Sequence, residues 1–313
     1  MPVNRRQFIA SSSLAAAVSA LDMRALFAAA QQPAQAPPQT AFTAIRGTVG
    51  YFTGSGGTIG WHIDKKSVVV IDAQMPATAT ICLDAVNERS GSRPIDFLVN
   101  THHHGDHTMG NAVFKPVAKK ILAHAHVPQL QATAAALAAK SAKPGAPPQP
   151  ELVMANTTYD STWRENVGDE VLALKHYGPA HTGGDSVVTF EKANVVHMGD
   201  LVFNRRHPVI DRPGGASIAN WVKVLGNTIK DQKDDTIFIF GHAAAKFPVT
   251  GSKADLAYQA DYLTALLEFV SAQMKAFKTK DDIVAITEPL KGFPDHGPLV
   301  ERVLSAACEE LAG

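Results

Sequence analysis

Thr101-His102-His103-His104-Gly105-Asp106-His107 is the stretch that decides how the rest of this 313-residue sequence is read. Reduced to its metal-binding side chains it is His-x-His-x-Asp-His. In an extended segment, side chains two apart point to the same side, so His102 and His104 can reach one cation. Asp106 and His107 follow at once and can turn to a second. Imidazole and carboxylate are the donors that suit zinc, and also iron or manganese. Four such groups within six residues make poor packing material, because a buried His or Asp without a partner costs stability.

Working outward, further His and Asp residues each follow a short apolar run. Ile95–Val99 leads into His102, Asn194–Met198 into Gly199-Asp200, and Thr236–Phe240 into Gly241-His242. Val171–His176 leads into Gly178-Pro179-Ala180-His181-Thr182-Gly183-Gly184-Asp185. Loops at the ends of rigid strands are where folds place functional groups. Glycines beside His181, Asp200 and His242 let the backbone approach a site closely.

The surrounding pattern predicts a mixed architecture. Gly47–Thr53 and Thr58–Ile63 flank the turn Gly54-Ser55-Gly56-Gly57 as a hairpin. Ser67–Asp72 and Ile95–Val99 are apolar runs of buried-strand length. Further strands are expected at Glu170–His176, Ser186–Glu191, Asn194–Met198 and Thr236–Phe240. Helices are expected at Ala77–Arg89, Val127–Lys140, Ala216–Gln232, Lys253–Lys278 and Pro298–Ala312, with a Pro-rich loop at Lys143–Pro150. Each half is strand-rich first and helix-terminated, which suggests an α+β fold of two sheets face to face with helices outside.

In this order, His-x-His-x-Asp-His, Ala-His-Thr-x-Gly-Asp, Gly-Asp and Gly-His resemble the metallo-β-lactamase superfamily. The resemblance implies an αββα sandwich over residues 43–313, with two metals at one edge. It implies His102, His104 and His181 on the first metal, Asp106, His107 and His242 on the second, and Asp200 between them. It also implies two zinc ions as cofactor, and hydrolysis of a small amide or ester by a metal-bridging hydroxide. An Asp at the position of Asp200 is similar to glyoxalase II and to lactonases; the best-known lactamases carry Cys or Ser there. The segment from Ala180 to Phe190 is similar to the lactamases themselves. A β-lactam or lactone is therefore the first expected substrate, and a thioester the next. An iron-dependent redox enzyme on the same fold and a non-catalytic metal-binding accessory protein stand as alternatives.

Asp106 is expected to orient the nucleophile as well as bind metal. Asp72 and Asp185 are expected to hold ligand histidines in their working tautomer. Asn204, Arg205 and Arg206 closely follow Asp200 and are candidates for contacting a substrate carboxylate. The Gly54–Gly57 tip reads equally as a flap or an ordinary turn. His103 should face away from the ligands. His62, His124, His126, His176, His197 and His296 are read as core or surface residues. No Gly-x-Ser-x-Gly motif is present, which argues against a serine nucleophile.

Asn4-Arg5-Arg6-Gln7-Phe8-Ile9 and the Ala- and Ser-rich run to Leu21 resemble a twin-arginine export signal over residues 1–30. Residues 31–42, rich in Pro, Gln and Ala, read as a flexible linker. The expected location is the periplasm or beyond, with the twin-arginine machinery as partner and no stable membrane insertion. Lys+Arg and Asp+Glu number 29 each, and the net charge is zero. No basic field then favours nucleic acid. Cys82 and Cys308 are the only cysteines, too few for a disulfide framework.

Overall fold

Every side chain of Val68-Val69-Val70-Ile71 is buried. A strand carries alternate residues to opposite faces, so this one must be covered on both sides. Val69 and Ile71 pack with Phe97, Val99, Leu172, Leu174, Val188 and Phe190 between two sheets. Val68 and Val70 pack outward with Ala79, Cys82 and Val86 of a helix. That single alternation fixes the layer order of the first half, helix then sheet then sheet.

The computed structural model describes residues 39–142 and 151–313. The expected signal segment, residues 31–38 of the linker and the Pro-rich loop 143–150 lie outside them. The first sheet has seven strands in chain order. These are β1 (Ala41–Arg46), β2 (Val49–Thr53), β3 (Ile59–Ile63), β4 (Val68–Ile71), β5 (Ile95–Asn100), β6 (Ala118–His124) and β7 (Thr157–Tyr159). Strands β1 to β4 run antiparallel, and β4 to β7 run parallel.

The second sheet contains β8 (Thr162–Val167), β9 (Glu170–Lys175), β10 (Val187–Phe190), β11 (Val195–His197), β13 (Ile237–Ile239) and β15 (Thr250–Gly251). A small parallel pair joins β12 (Phe203–Asn204) to β14 (His242–Ala243).

Helix α1 (Pro76–Ser90) crosses from β4 to the parallel β5. It starts with Pro in its first turn and stops at Gly91, whose left-handed φ of 68° only glycine adopts freely. The short α2 (Gly105–Thr108) and α3 (Asn111–Phe114) follow, then α4 (Val127–Ser141). The second sheet is covered by α5 (Ile218–Asp231), α6 (Lys253–Lys275) and α8 (Glu301–Ala312), with α7 (Lys280–Val284) between them. Trp221, Leu225, Tyr262, Leu266 and Leu304 of those helices pack on Val187, Val196, Met198 and Phe238 of the sheet. The result is the expected αββα sandwich. Among the described residues no helix is long and apolar enough to cross a membrane.

Four strands longer than two residues escape the sequence reading. The edge strand β8 carries Thr-Trp-Arg-Glu-Asn-Val, mostly exposed, so no apolar run announces it. Strand β6 begins with Lys119 and Lys120 exposed and only then turns apolar. Strands β1 and β7 are half-exposed edges of the first sheet. Helix α8 begins at Glu301, not Pro298, because Pro298 lies in a bridge with Pro289. Helix α6 stops at Lys275 as the chain turns left-handed at Phe277, φ 60°.

The parallel strands matter most for function. Strands β4 and β5 end together at Asp72 and Thr101, and β11 and β13 end together before Asp200 and His242. Ligand sites in sheets of this kind form beyond the carboxyl ends of parallel strands.

Candidate metal centre

Asp72 is the first fixed point. It is fully buried and left-handed, with φ 65°. One carboxylate oxygen accepts the Thr101 N–H at 2.8 Å, and the other accepts the Thr101 hydroxyl at 2.8 Å. That second oxygen also meets His107 Nδ1 at 2.7 Å. A carboxylate only accepts, so His107 Nδ1 carries a proton and Nε2 is the nitrogen turned to the centre. Thr101 has given its proton to Asp72, so its oxygen accepts from His102 Nδ1 at 3.0 Å. His102 is held neutral by burial, so its Nε2 is bare.

The same logic orients two further rings. His181 Nδ1 donates to the Val209 carbonyl at 2.7 Å. His104 Nε2 donates to Asp211 at 3.0 Å. The remaining nitrogens, His181 Nε2 and His104 Nδ1, face each other at 3.0 Å. Two bare lone pairs at that separation repel unless a positive charge lies against both.

Asp200 occupies the middle. One oxygen lies 2.9 Å from His107 Nε2. The other lies 3.3 Å from His242, 3.6 Å from His181 and 4.0 Å from His102. Asp106 reaches His242 at 3.1 Å and His107 at 3.8 Å. Three groups among the described residues are compact enough to hold an ion: His102, His104, His181 and Asp200; Asp106, His107 and His242; and His103, His104 and Asp211, which shares His104 with the first. His102 Nε2, His107 Nε2 and Asp200 Oδ1 are buried without hydrogen-bond partners. Buried orphans of this kind are costly, and here they converge on one space. The residues fit metal ions.

The electrostatics divide the centre. Burial, with the His107 ring beside it, holds His102 well below the usual imidazole range. Burial and the His104 ring take His181 down to about 3. At His242 burial opposes protonation, but Asp200 and Asp106 outweigh it and raise the ring to about 9. For Asp200 burial is again opposed, here by His242 and His107, and its carboxyl stays well below the usual range. One side presents bare nitrogens, and the other gathers positive charge around carboxylates.

Backbone closeness explains two glycines. A Cβ on Gly57 would meet the His107 ring at 2.0 Å, and one on Gly241 would meet Asp200 Oδ1 at 2.0 Å. The hairpin tip is also tied down, since Gly57 N–H donates to the Asp106 carbonyl at 3.0 Å. It is a turn fastened to the motif, not a free flap.

The sequence profile of the metallo-β-lactamase superfamily matches residues 57–242. The chain belongs to the metallo-β-lactamase superfamily. Over 160 residues it is 27% identical to the 2,4-dinitroanisole O-demethylase subunit alpha of Nocardioides sp. (strain JS1661), covering 51% of this chain and 45% of that one. The sec-alkylsulfatase Pisa1 from Pseudomonas sp. superposes with a TM-score of 0.68 at 17% identity, over 88% of this chain and 50% of that one. A metallo-β-lactamase from Pontibacter korlensis superposes at 0.56 with 18% identity, over 72% of this chain and 99% of that one. The chain thus spans about half the length of the O-demethylase subunit and of the alkylsulfatase.

Three expected roles are revised by this superfamily site as built. The Asp185 carboxylate accepts from Thr182 N–H and hydroxyl at 2.8 and 2.7 Å and touches no histidine ring. It braces the turn beside His181, and burial pushes its carboxyl up to about 7. Asn204 is buried, and its amide donates to the Pro248 carbonyl. Arg205 pairs with Asp255 at 3.3 Å and lies 3.5 Å over the Tyr258 ring. Neither faces the centre. Arg206 does reach it: with His242, Gly56 and Gln74 it lines a small polar cleft of about 180 Å³.

Asp211 was not anticipated. It holds His104 and also receives His103 Nε2 at 3.2 Å. No spacing rule marks it, because it sits 104 residues beyond the motif in an irregular loop. His103 does turn from the central space, as expected. His124, His126 and His176 form an unforeseen ring cluster, with His124 and His176 stacked at 3.8 Å.

Proposed function

We propose that this protein is a binuclear zinc hydrolase of small polar substrates. The single observation behind the reading is Asp200, whose two oxygens address both ligand groups at once. His102, His104 and His181 would hold the first ion and Asp106, His107 and His242 the second, with Asp200 within reach of both groups. Such ions would supply a bound water with a pKa of about 7 and a Lewis acid for the substrate oxygen. Asp106 is the exposed member, with 38% of its side chain open. It therefore lies where an attacking water is oriented. Asp72 and Asp211 keep the ligand rings in register, and Arg206 offers a cation to an anionic group in the cleft beside His242.

A β-lactam or a lactone carrying a carboxylate suits that cleft, and a thioester is the next candidate. A sulfate ester is a second reading, because similarity to the alkylsulfatase extends over 88% of this chain. The N-terminal resemblance supports export in a folded state by the twin-arginine machinery, which would let metal load in the cytoplasm. The test is turnover of a chromogenic cephalosporin, an aryl lactone, a thioester and a sec-alkyl sulfate, each with and without chelator. Chelator-sensitive hydrolysis of any one supports the reading. A metal-replete protein that cleaves none of them contradicts it.

A further inference from the structure

Beside the metal motif, but outside the centre, lies a pocket of about 200 Å³. One wall is the face of α4 formed by Gln131, Ala134, Ala135 and Ala138, which recur at helical spacing. The opposite wall includes His103 and Met109. Three alanines in a row on this helical face leave space that leucines would fill, with Ala134 and Ala138 exposed at the rim. A volume of this size takes a molecule of fewer than about ten heavy atoms, below the usual range of drug-sized sites.

Gln131 gives the pocket its chemistry. It is only 3% exposed, yet neither its amide nitrogen nor its amide oxygen has a partner among the described residues. His103 Nδ1 is also buried and unpartnered. A helix residue this buried is normally apolar or satisfied. An amide offering one donor and one acceptor side by side matches the reversed pair on a primary carboxamide or a lactam. Two antiparallel hydrogen bonds would then satisfy both Gln131 atoms, with the apolar remainder against Met109 and the alanines.

We propose that this pocket binds a small apolar molecule bearing a carboxamide or lactam group, held by Gln131. The site contains none of the seven residues assigned to metal, so it stands apart from the hydrolase reading. It is linked to the centre by His103, which shares the Asp211 carboxylate with His104, and by Thr108, whose hydroxyl donates to the His104 carbonyl.

The probe is benzamide, titrated into the full chain and followed by protein chemical shifts, with acetophenone as the control lacking the N–H. The expected result is saturable binding of benzamide, at least about tenfold weaker for acetophenone and for Gln131→Leu. Ala134→Leu, at an exposed position, should fill the pocket and abolish binding while the far-UV circular dichroism stays unchanged. Binding should persist in chelator, so loss of the metal centre does not mimic failure here. No saturable binding, or equal affinity for the Gln131→Leu and parent chains, overturns the proposal, with Gln131 then satisfied by buried water alone.

Discussion

Asp72 and His107 meet at 2.7 Å, carboxylate oxygen to Nδ1, with both side chains fully buried. The same carboxylate oxygen accepts the Thr101 hydroxyl, which in turn orients His102. One aspartate at the end of β4 therefore sets the tautomer of one histidine in each ligand group. Partners of this kind typically contribute tenfold to a hundredfold in metal affinity.

Asp72→Asn should test that role with little change in shape. Asn tolerates the left-handed φ of 65° at this position, but its amide cannot accept from Thr101 N–H, Thr101 hydroxyl and His107 together. Metal affinity, read by competition with a chromophoric chelator, should fall by about tenfold or more. Unchanged affinity would remove Asp72 from the site.

Asp211→Asn should weaken the His104 side alone. The expected outcome is looser binding of one ion, about tenfold, with the other retained. Two-step metal release in a chelator titration reads this directly. Equal loosening of both ions would mean that Asp211 acts through the loop and not through His104.

Gly57→Ala puts a methyl group within 2.0 Å of the His107 ring. Either the ring or the hairpin tip must shift, at a cost of about 1–3 kcal/mol. A lowered thermal midpoint together with reduced metal content is expected. A variant with parental midpoint and full metal would show that the tip is free to move.

His296 stacks on Tyr262 at 4.0 Å, and neither of its ring nitrogens has a partner. Burial takes this ring down to about 3, with the His207 ring adding to it. The unfolded ring takes up a proton near pH 6.5, so its contribution to stability is complete above that pH. It is lost progressively as the pH falls from 6.5 toward 3. His296→Phe keeps the stack and removes the titration. Between pH 7 and pH 5 it should lose about 2 kcal/mol less stability than the parent in denaturant melts. Parallel losses would show that His296 does not contribute.

How much of this was visible in the sequence depends on where each signal lies. The clustering of these His and Asp residues was legible because they follow apolar runs that end at one edge, as with Ile95–Val99 before His102. The layer order was legible from fully apolar strands such as Val68–Ile71. Strand β8 was not, because an exposed edge has no hydrophobic face to report. Asp211 and Gln131 were not, because what defines them is a partner, or the lack of one, far away in the chain. Asn204 and Arg205 were misplaced because nearness in sequence to Asp200 says nothing of side-chain direction in a buried strand.

The central claim is that Asp200 joins two ion sites into one centre. Its most direct test is metal content per chain, by mass spectrometry of the purified protein and of Asp200→Ala. The account predicts two ions in the parent chain, and one or none in the variant. A parent chain that holds a single ion, or an Asp200→Ala variant that keeps both, would contradict it.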